Sequence, residues 1–224
     1  GLYKTDEDNI NNVWGKLNFP VRLVGTEKCD GSSVTIGIND YFPDGFICSR
    51  NLRKKLKINK VVGRRKKTFL ETLLFWTNPD LNIYEEMDND DDFVRHGKPL
   101  LDKMKEAGLM NVVVRGELNG GSCKGSGNKN NPASKEPTNI KLFGVDIFEN
   151  GAAQRVEPKL FFEFCEMHDF QHVGLVFDKT FNSKEELQET CENYFKTNLI
   201  EGIVVRSNDG FSAKYMNNEY DSKK

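Results

Sequence analysis

Short strand-like runs closed by turn dipeptides dominate the sequence and constrain its fold more than any other feature. The first two, VRLVGTEKCDGSSVTIGIND at 21–40 and YFPDGFICSRN at 41–51, carry Asp-Gly and Pro-Asp-Gly turn signals between apolar segments. Further runs of this kind lie at 111–121, 140–151, 200–208 and 210–217. Because helical patterns do not alternate regularly with them, we predict an α+β domain of antiparallel sheets flanked by helices.

Four segments carry helical patterns. Residues 68–76 read as a short buried helix, and 91–108 read as a longer one that ends at a glycine. Apolar residues recur at helical spacing in 159–170. A Ser-x-x-Glu capping box at Ser183 and Glu186 predicts that a further helix begins near Ser183.

The chain of 224 residues shows no internal repeat and no domain boundary, so we expect one domain over 1–224 and a monomer. Residues 121–139 form a polar, low-complexity stretch and are expected to be a mobile loop. No apolar run approaches the length of about 18 residues that a membrane span needs. The five cysteines form no CxxC pair, which is typical of reduced thiols in an intracellular protein and does not indicate a compartment.

The net charge is only −2, but the sequence contains one strongly basic run and one strongly acidic run. Residues 50–67 hold ten basic residues and no acid, whereas 80–92 hold seven acids and no base. The acidic run fits a solvated face equally well, but ten uncompensated cations would repel one another, and a polyphosphate partner would relieve that repulsion. The sequence therefore predicts nucleic-acid contacts at Arg53, Lys54, Lys55, Arg64 and Arg65.

Charged side chains occur where buried strands would be apolar. Each of these charged residues, taken alone, is typical of a solvated strand end. The dipeptide Asp30-Gly31, taken alone, is typical of a hairpin turn. Together they supply an amine nucleophile, carboxylates for ribose hydroxyls and a divalent metal, and cations for phosphate, which are the groups that nucleotidyl transfer requires. The candidates are Glu27, Lys28, Asp30, Glu117, Glu201 and Lys214.

The order and spacing of these residues resemble the covalent nucleotidyltransferases, the superfamily of ATP-dependent ligases and mRNA capping enzymes. The matching segments run in order over 21–220 and read EKCDGSS, SRN, RGELNGG, LFGVDIF, EGIVVR and SAKYMN. DNA ligases and capping enzymes usually carry an arginine where this chain has Ser33. That difference, together with the GELNGG run, is similar to the RNA ligase 2-like branch.

The resemblance implies a nucleotidyltransferase (ATP-grasp-like) domain that acts as an ATP-dependent RNA ligase. Lys28 would take AMP from ATP as a lysyl-AMP, pass it to a 5′-phosphate end, and allow a 3′-hydroxyl to close the strand. Magnesium or manganese would bind at Asp30, Glu117 and Glu201. By motif position, the cofactor-binding residues would be Glu27, Lys28, Asp30, Arg50, Glu117, Val145, Glu201 and Lys214.

Two positions depart from the family pattern. Met216 stands where a second lysine is common, and Val145 stands where an aromatic residue often stacks on the base, with Phe143 nearby as an expected core residue. A DNA ligase, a capping guanylyltransferase and a nucleic-acid-binding module with a degenerate site therefore stay open as alternatives. Since such enzymes usually carry a further domain, the sequence also predicts that an accessory domain is absent or truncated here.

Overall fold

The computed structural model describes residues 6–68, 80–121, 131–149 and 152–221. The strands are β1 (Asp8–Asn9), β2 (Val21–Lys28), β3 (Ser32–Asn39), β4 (Phe42–Ser49), β5 (Arg53–Lys54), β6 (Lys57–Lys66), β7 (Asp80–Asp88), β8 (Val112–Asn119), β9 (Asn139–Glu149), β10 (Ala152–Arg155), β11 (Leu175–Phe181), β12 (Gly202–Arg206) and β13 (Ser212–Met216). The helices are α1 (Asp92–Glu106), α2 (Pro158–Met167), α3 (Lys184–Thr197) and α4 (Asn218–Asp221).

The described strands form two main sheets and a separate ribbon. The first sheet has the order β1-β13-β12-β2-β11, the second has the order β10-β9-β8-β3-β4-β5, and β6 pairs with β7 in the ribbon. Within these ladders only β1 and β13 run parallel, and the other pairs are antiparallel. The predicted α+β architecture of antiparallel sheets with helices is confirmed.

The segment around Asp30-Gly31 is a crossing between the sheets, and the hairpin interpretation is wrong. Strand β2 pairs with β12 and β11 in the first sheet, whereas β3 pairs with β8 and β4 in the second. A Cβ on Gly31 would lie 2.4 Å from the carbonyl oxygen of Leu118, so this connection passes tightly against β8. A turn dipeptide specifies a local change of direction, but it does not specify which strands then pair.

The predicted turn at Pro-Asp-Gly is also wrong, since Pro43 to Gly45 lie inside β4. The chain reverses just before, between the end of β3 at Asn39 and the start of β4 at Phe42. The Asn39 side chain supports this reversal, because its Oδ1 accepts from the backbone N–H groups of Tyr41 and Phe42. An Asn side chain that stabilises a turn in this way is the stronger local signal.

The helix predictions agree with the structure wherever it describes them. Helix α1 begins after Asp91, whose side chain accepts from the Phe93 N–H, and Gly108 follows the helix with a φ of 66°. At the start of α3 the Ser183 Oγ accepts from the Glu186 N–H at 3.2 Å. This is the hydrogen bond from the N-cap side chain that the capping box predicts, so the predicted helix start is confirmed. Helix α2 confirms the helical spacing in 159–170.

Some predictions fall on residues that the structure does not describe. Most of the predicted helix over 68–76 lies outside the described residues, as do residues 122–130 of the predicted loop. The remainder of that loop contains a 3-10 turn at Pro132–Lys135. Among the described helices, none is long and apolar enough to cross a membrane.

Each main sheet buries one face under a helix and turns the other toward the opposite sheet. Helix α1 places Leu101 and Met104 in a core with Ile36 and Ile47 of the second sheet. Helix α3 places residues such as Leu187 against the first sheet in a separate core. Because side chains alternate along a strand, the residues between the buried ones face the space between the sheets. That space is where polar residues are found.

Candidate active site

A cavity of about 770 Å³ lies between the two sheets. Strand alternation explains its lining: in β3, Val34 and Ile36 are in the core whereas Ser33 and Thr35 line the cavity. The lining brings together every predicted cofactor-binding residue except Val145, namely Glu27, Lys28, Asp30, Arg50, Glu117, Glu201 and Lys214. These residues come from segments that are distant in sequence, so the fold gathers the predicted site.

Lys28 ends β2 and forms an ion pair with Glu201. Gly202 is the register partner of Lys28, so the residue just before β12 is brought beside the lysine. The Lys28 Nζ donates to the Glu201 Oε2 at 2.5 Å, and the two side chains are 27% and 20% exposed. The amine is therefore held in place yet remains reachable from the cavity.

Cys29 is the other side chain with nucleophilic chemistry at this position, and its surroundings keep it inactive. Burial, the largest cause, raises the pKa of its thiol to about 12, with smaller opposing contributions from Lys141 and Lys28. Since the thiolate is the reactive form, Cys29 stays protonated at neutral pH. Lys28, whose amine lines the cavity, remains the candidate nucleophile of this adjacent pair.

Glu117 lies on β8 opposite Ser33 and carries a strongly perturbed carboxyl group. Burial raises its pKa from 4.5 to about 7, the charge of Lys28 opposes the rise, and the charges of Glu201 and Asp30 add to it. The mutual influence of these carboxylates makes this part of the cavity favourable for a cation. A group with such a pKa in a cavity is a candidate functional residue.

Asp30 is fixed by two buried residues that the sequence did not indicate. The Tyr220 hydroxyl donates to the Asp30 Oδ2 at 3.0 Å, and the Asn131 Nδ2 donates to the Asp30 carbonyl oxygen at 3.0 Å. Tyr220 is 2% exposed and Asn131 is 6% exposed. Neither lies near Asp30 in the chain, so no local pattern could have identified them.

Glu27 lines the cavity, but its carboxylate is engaged by helix α3. Its Oε1 accepts from the Tyr194 hydroxyl at 2.9 Å. Burial and this carboxylate together raise the pKa of Tyr194 to about 12. Glu27 thus ties the end of β2 to α3, next to the lysine.

Val145 is a correction to the predicted site. It is 1% exposed and belongs to the core of the second sheet, whereas Phe143 lines the cavity. The register of β8 with β9 shifts between the pairs Arg115–Gly144 and Gly116–Leu142, which leaves Phe143 as the extra residue of a bulge. A bulge changes which side chains face each side of a sheet, so Phe143 faces the cavity and Val145 faces the core.

Arginines complete the lining, and the sequence assigned no role to two of them. Arg206 ends β12 and donates to Glu7 at 3.3 Å, and Arg115 of β8 pairs with the fully buried Asp146. Arg50, which was predicted, forms an exposed ion pair with Asp6. Arg206 belongs to the EGIVVR segment, where its alternation with Val205 would have placed it on the cavity face.

Around Asp146 the charges form a triad. Arg115 and Arg155 both pair with its carboxylate, the latter at 2.5 Å. Asp146 is 0% exposed, so removal of either guanidinium would leave a buried charge less compensated. The triad holds Arg115 in the wall of the cavity.

Lys214 lies on β13 between two strands, opposite Val204 of β12 and Asn9 of β1. It lines the cavity with Arg50 and Lys28, which gives that wall several cations. Met216 is the register partner of Gly202 at the end of β13, and it is not among the described residues that line the cavity. Met216, which stands where the family commonly has a second lysine, therefore lies outside the described cavity lining.

Within the described part of the chain, no group of three or more His, Cys, Asp or Glu residues forms a ready metal site. The predicted metal residues Asp30, Glu117 and Glu201 do line one cavity, and they offer carboxylate oxygens. Magnesium keeps several waters and binds through one or two carboxylates together with substrate phosphates, so a complete protein cage is not expected. The donor set therefore fits a hard cation that binds together with a nucleotide.

The predicted nucleic-acid residues separate into distinct environments. Arg53 lines the cavity and lies 4.6 Å from the Phe42 ring centroid, whereas Lys54 is engaged by Asp91 at 3.0 Å. Arg64 and Arg65 lie on the ribbon opposite Asn82 and Leu81, and Lys55 precedes it.

The expectation that the ten cations of the basic run lack compensating acids is wrong, because the fold brings acidic residues beside them. Strand β6 carries much of the basic run and β7 carries much of the acidic run, and the two pair along the ribbon. Lys57 meets Glu86 at 3.1 Å and Lys60 meets Asp90 at 2.8 Å. Pairing of the two runs relieves much of the expected repulsion within the fold, so a polyphosphate partner is not required for folding.

A family model described as RNA ligase matches residues 21–218. No curated protein sequence matches the chain.

Solved structures of an RNA ligase from Naegleria gruberi are similar to the chain. The form with PPi has a TM-score of 0.66 at 19% identity and covers 99% of this chain and 58% of its own. A lysine mutant with AMP and Mn has a TM-score of 0.68 at 17% identity, and a glutamate mutant with ATP and Mn has 0.65 at 19%; each covers 100% of this chain and 58% of its own. At these identities the likeness concerns the fold, and the chain spans about 58% of the length of those ligases.

Proposed function

Because the chain belongs to the RNA ligase family, we propose that it catalyses the adenylyltransferase chemistry of an ATP-dependent RNA ligase. The observation that carries the proposal is the position of Lys28, whose amine lies at the edge of a large cavity and is held by Glu201. The Naegleria gruberi structures, obtained with ATP or AMP and Mn, support a nucleotide as the occupant of the equivalent fold.

In the first step the Lys28 Nζ attacks the α-phosphorus of ATP. A nitrogen–phosphorus bond forms, the bond from the α-phosphorus to the bridging oxygen of pyrophosphate breaks, and pyrophosphate leaves with its electron pair. The amine must lose a proton to react. The Glu201 Oε2 would accept that proton, and its distance of 2.5 Å from this nitrogen supports the assignment.

Other cavity residues would bind different parts of the nucleotide. Arg50 and Lys214 provide positive charge for the phosphates. Glu117, whose carboxyl is partly protonated near neutral pH, suits the ribose hydroxyls as either donor or acceptor. The Phe143 ring offers an aromatic surface for the base, which is the role that Val145 was predicted to serve.

A divalent ion belongs to this proposal. Asp30, Glu117 and Glu201 would hold magnesium or manganese, in part through water. When bound, the ion supplies charge neutralisation for the phosphates in the transition state. A cation near Glu201 would also compete with Lys28 for that carboxylate and so would favour release of the amine from its ion pair.

The later steps act on RNA ends. The AMP would pass from Lys28 to a 5′-phosphate, and a 3′-hydroxyl would then displace AMP as the new phosphodiester bond forms. Arg53 lines the cavity and would contact the nucleic acid close to the reacting phosphates. Arg64 and Arg65 lie on the ribbon and would contact its backbone farther away.

The test is covalent labelling with α-labelled ATP and either magnesium or manganese, after pretreatment with pyrophosphate to remove AMP already bound. We expect an acid-labile label that disappears in Lys28→Ala. Lys179→Ala is the matched control, since Lys179 is also a strand lysine in an ion pair with a glutamate, Glu186, at 3.3 Å, and this variant should still be labelled. A label that survives in Lys28→Ala, or no label with either metal, would overturn the proposal.

A further inference from the structure

Helix α4 and the residue before it contact both sides of the site around Lys28. The Asn217 N–H donates to the Glu201 carbonyl oxygen at 3.0 Å, and its side-chain Nδ2 donates to the Ile200 carbonyl oxygen at 3.1 Å. Asn217 is 5% exposed. This residue thereby anchors the segment that carries the ion-pair partner of Lys28.

From the same helix, Tyr220 reaches the other side of the site. Its hydroxyl donates to the Asp30 Oδ2 at 3.0 Å, and its ring is buried. The Tyr220 N–H donates to the Asn217 carbonyl oxygen, and the Asn217 Oδ1 accepts from the Glu219 N–H at 3.1 Å. Asn217, which binds the segment before β12, and Tyr220, which binds Asp30, therefore belong to one hydrogen-bonded turn.

Asp30 is held at two points. The Asn131 amide fixes its backbone carbonyl, so the remaining freedom of the residue is rotation of its side chain. The Tyr220 hydroxyl restricts that rotation by holding one carboxylate oxygen, which leaves the other oxygen for a ligand in the cavity. A ligand group whose rotation is restricted in advance loses less entropy when it binds.

We infer that Tyr220 is a positioning residue, which orients the Asp30 carboxylate for the divalent ion that accompanies the nucleotide. The inference rests on the proposed function, because that function supplies the ion and the nucleotide. Tyr220 is not among the described residues that line the cavity, so it acts through Asp30. Helix α4 and the preceding Asn217 thereby connect two carboxylate-bearing residues of the site, because Asn217 binds the Glu201 backbone and Tyr220 binds the Asp30 carboxylate.

The experiment compares Tyr220→Phe with Tyr215→Phe. Both substitutions remove a single hydroxyl, and the Tyr215 hydroxyl donates to Glu192, outside the cavity, at 3.2 Å. Binding of Mn²⁺ together with a non-hydrolysable ATP analogue is followed by electron paramagnetic resonance, which needs no turnover. We expect the affinity for Mn²⁺ to fall about tenfold in Tyr220→Phe, as for the loss of one hydrogen bond to a charged group, and to stay unchanged in Tyr215→Phe.

A second comparison separates positioning from a purely structural role. In an Asp30→Ala background, Tyr220→Phe should have no further effect on Mn²⁺ affinity, because the hydroxyl has lost the carboxylate that it orients. Replacement of Tyr220 with 3-fluorotyrosine keeps the hydroxyl and should preserve the wild-type affinity. This substitution also serves as the test if Tyr220→Phe does not fold, since loss of Mn²⁺ affinity in the fluorotyrosine protein would contradict the inference.

The outcomes are distinct from those of the labelling test. Equal Mn²⁺ affinity in Tyr220→Phe and Tyr215→Phe would overturn the inference, as would an equal loss with and without Asp30, or a wild-type protein that binds no Mn²⁺. If the wild type binds Mn²⁺ but forms no lysine-linked label, the proposed function fails, while the comparison of variants still decides the role of Tyr220.

Discussion

Replacement of Glu117 by glutamine should make the protein more stable at alkaline pH. Burial raises the pKa of this carboxyl from 4.5 to about 7, so the folded protein holds the proton more tightly than the unfolded chain does. The unfolded chain loses its proton first as the pH rises, and the folded state is progressively disfavoured between about pH 4.5 and about pH 7. Above that window the charged group is a full cost to folding, and Glu117→Gln removes that cost.

The size of the effect follows from the difference between the two pKa values. At about 1.4 kcal/mol for each tenfold change in proton affinity, that difference corresponds to at most about 3.5 kcal/mol. Glu117 keeps some contact with solvent, which reduces the expected value to about 2 kcal/mol. The advantage of Glu117→Gln over the wild type should therefore grow by about 2 kcal/mol from about pH 5 to about pH 8.

Urea unfolding at both pH values, with chelator present and nucleotide absent, measures this difference. Glu149→Gln is the matched control, since Glu149 is an exposed glutamate on the neighbouring strand β9. An advantage that changes by less than about 0.5 kcal/mol between the two pH values, or a Glu117→Gln protein less stable than the wild type at the higher pH, would contradict a raised pKa at Glu117.

Two further predictions follow from the charged groups. Arg115→Met should destabilise the protein by about 3–5 kcal/mol in urea unfolding, because Asp146 is buried and would lose one of its two guanidinium partners. Arg22→Met, which breaks an exposed pair with Asp178, is the control and should leave the stability nearly unchanged. Combined replacement of Arg64 and Arg65 by alanine should weaken binding of single-stranded RNA and reduce the slope of log affinity against log salt by about 1.4, and an unchanged slope in a salt titration would place the RNA elsewhere.

The chemistry of the site was largely predictable from sequence, because it depends on residue types at short spacings. A lysine at a strand end and acids near other strand ends nominated Lys28, Asp30, Glu117 and Glu201 as candidates, and all four line the cavity, while their roles stay predictions. Many strand and helix positions were also predictable, since alternation, capping and glycine signals are local, but β6, β7 and β11 were not among the predicted strands. The Ser183 cap and the helix that follows it are an example.

Other features depended on pairings that no local pattern specifies. The Asp30-Gly31 dipeptide did not indicate that β2 and β3 belong to different sheets, although the cavity lies between those sheets. A single bulge in β9 placed Phe143 in the cavity lining and Val145 in the core, because one extra residue reverses the side-chain alternation.

Sequence by itself determined the inventory of reactive groups and the strands and helices that carry them, since both follow from local residue chemistry. Tertiary structure decided which of those groups meet. It placed Tyr220 on Asp30 across a separation of 190 residues, and it paired the basic run with the acidic run along the ribbon. Contacts of this range form only when strand register and sheet packing bring distant segments together, so their partners are properties of the folded chain.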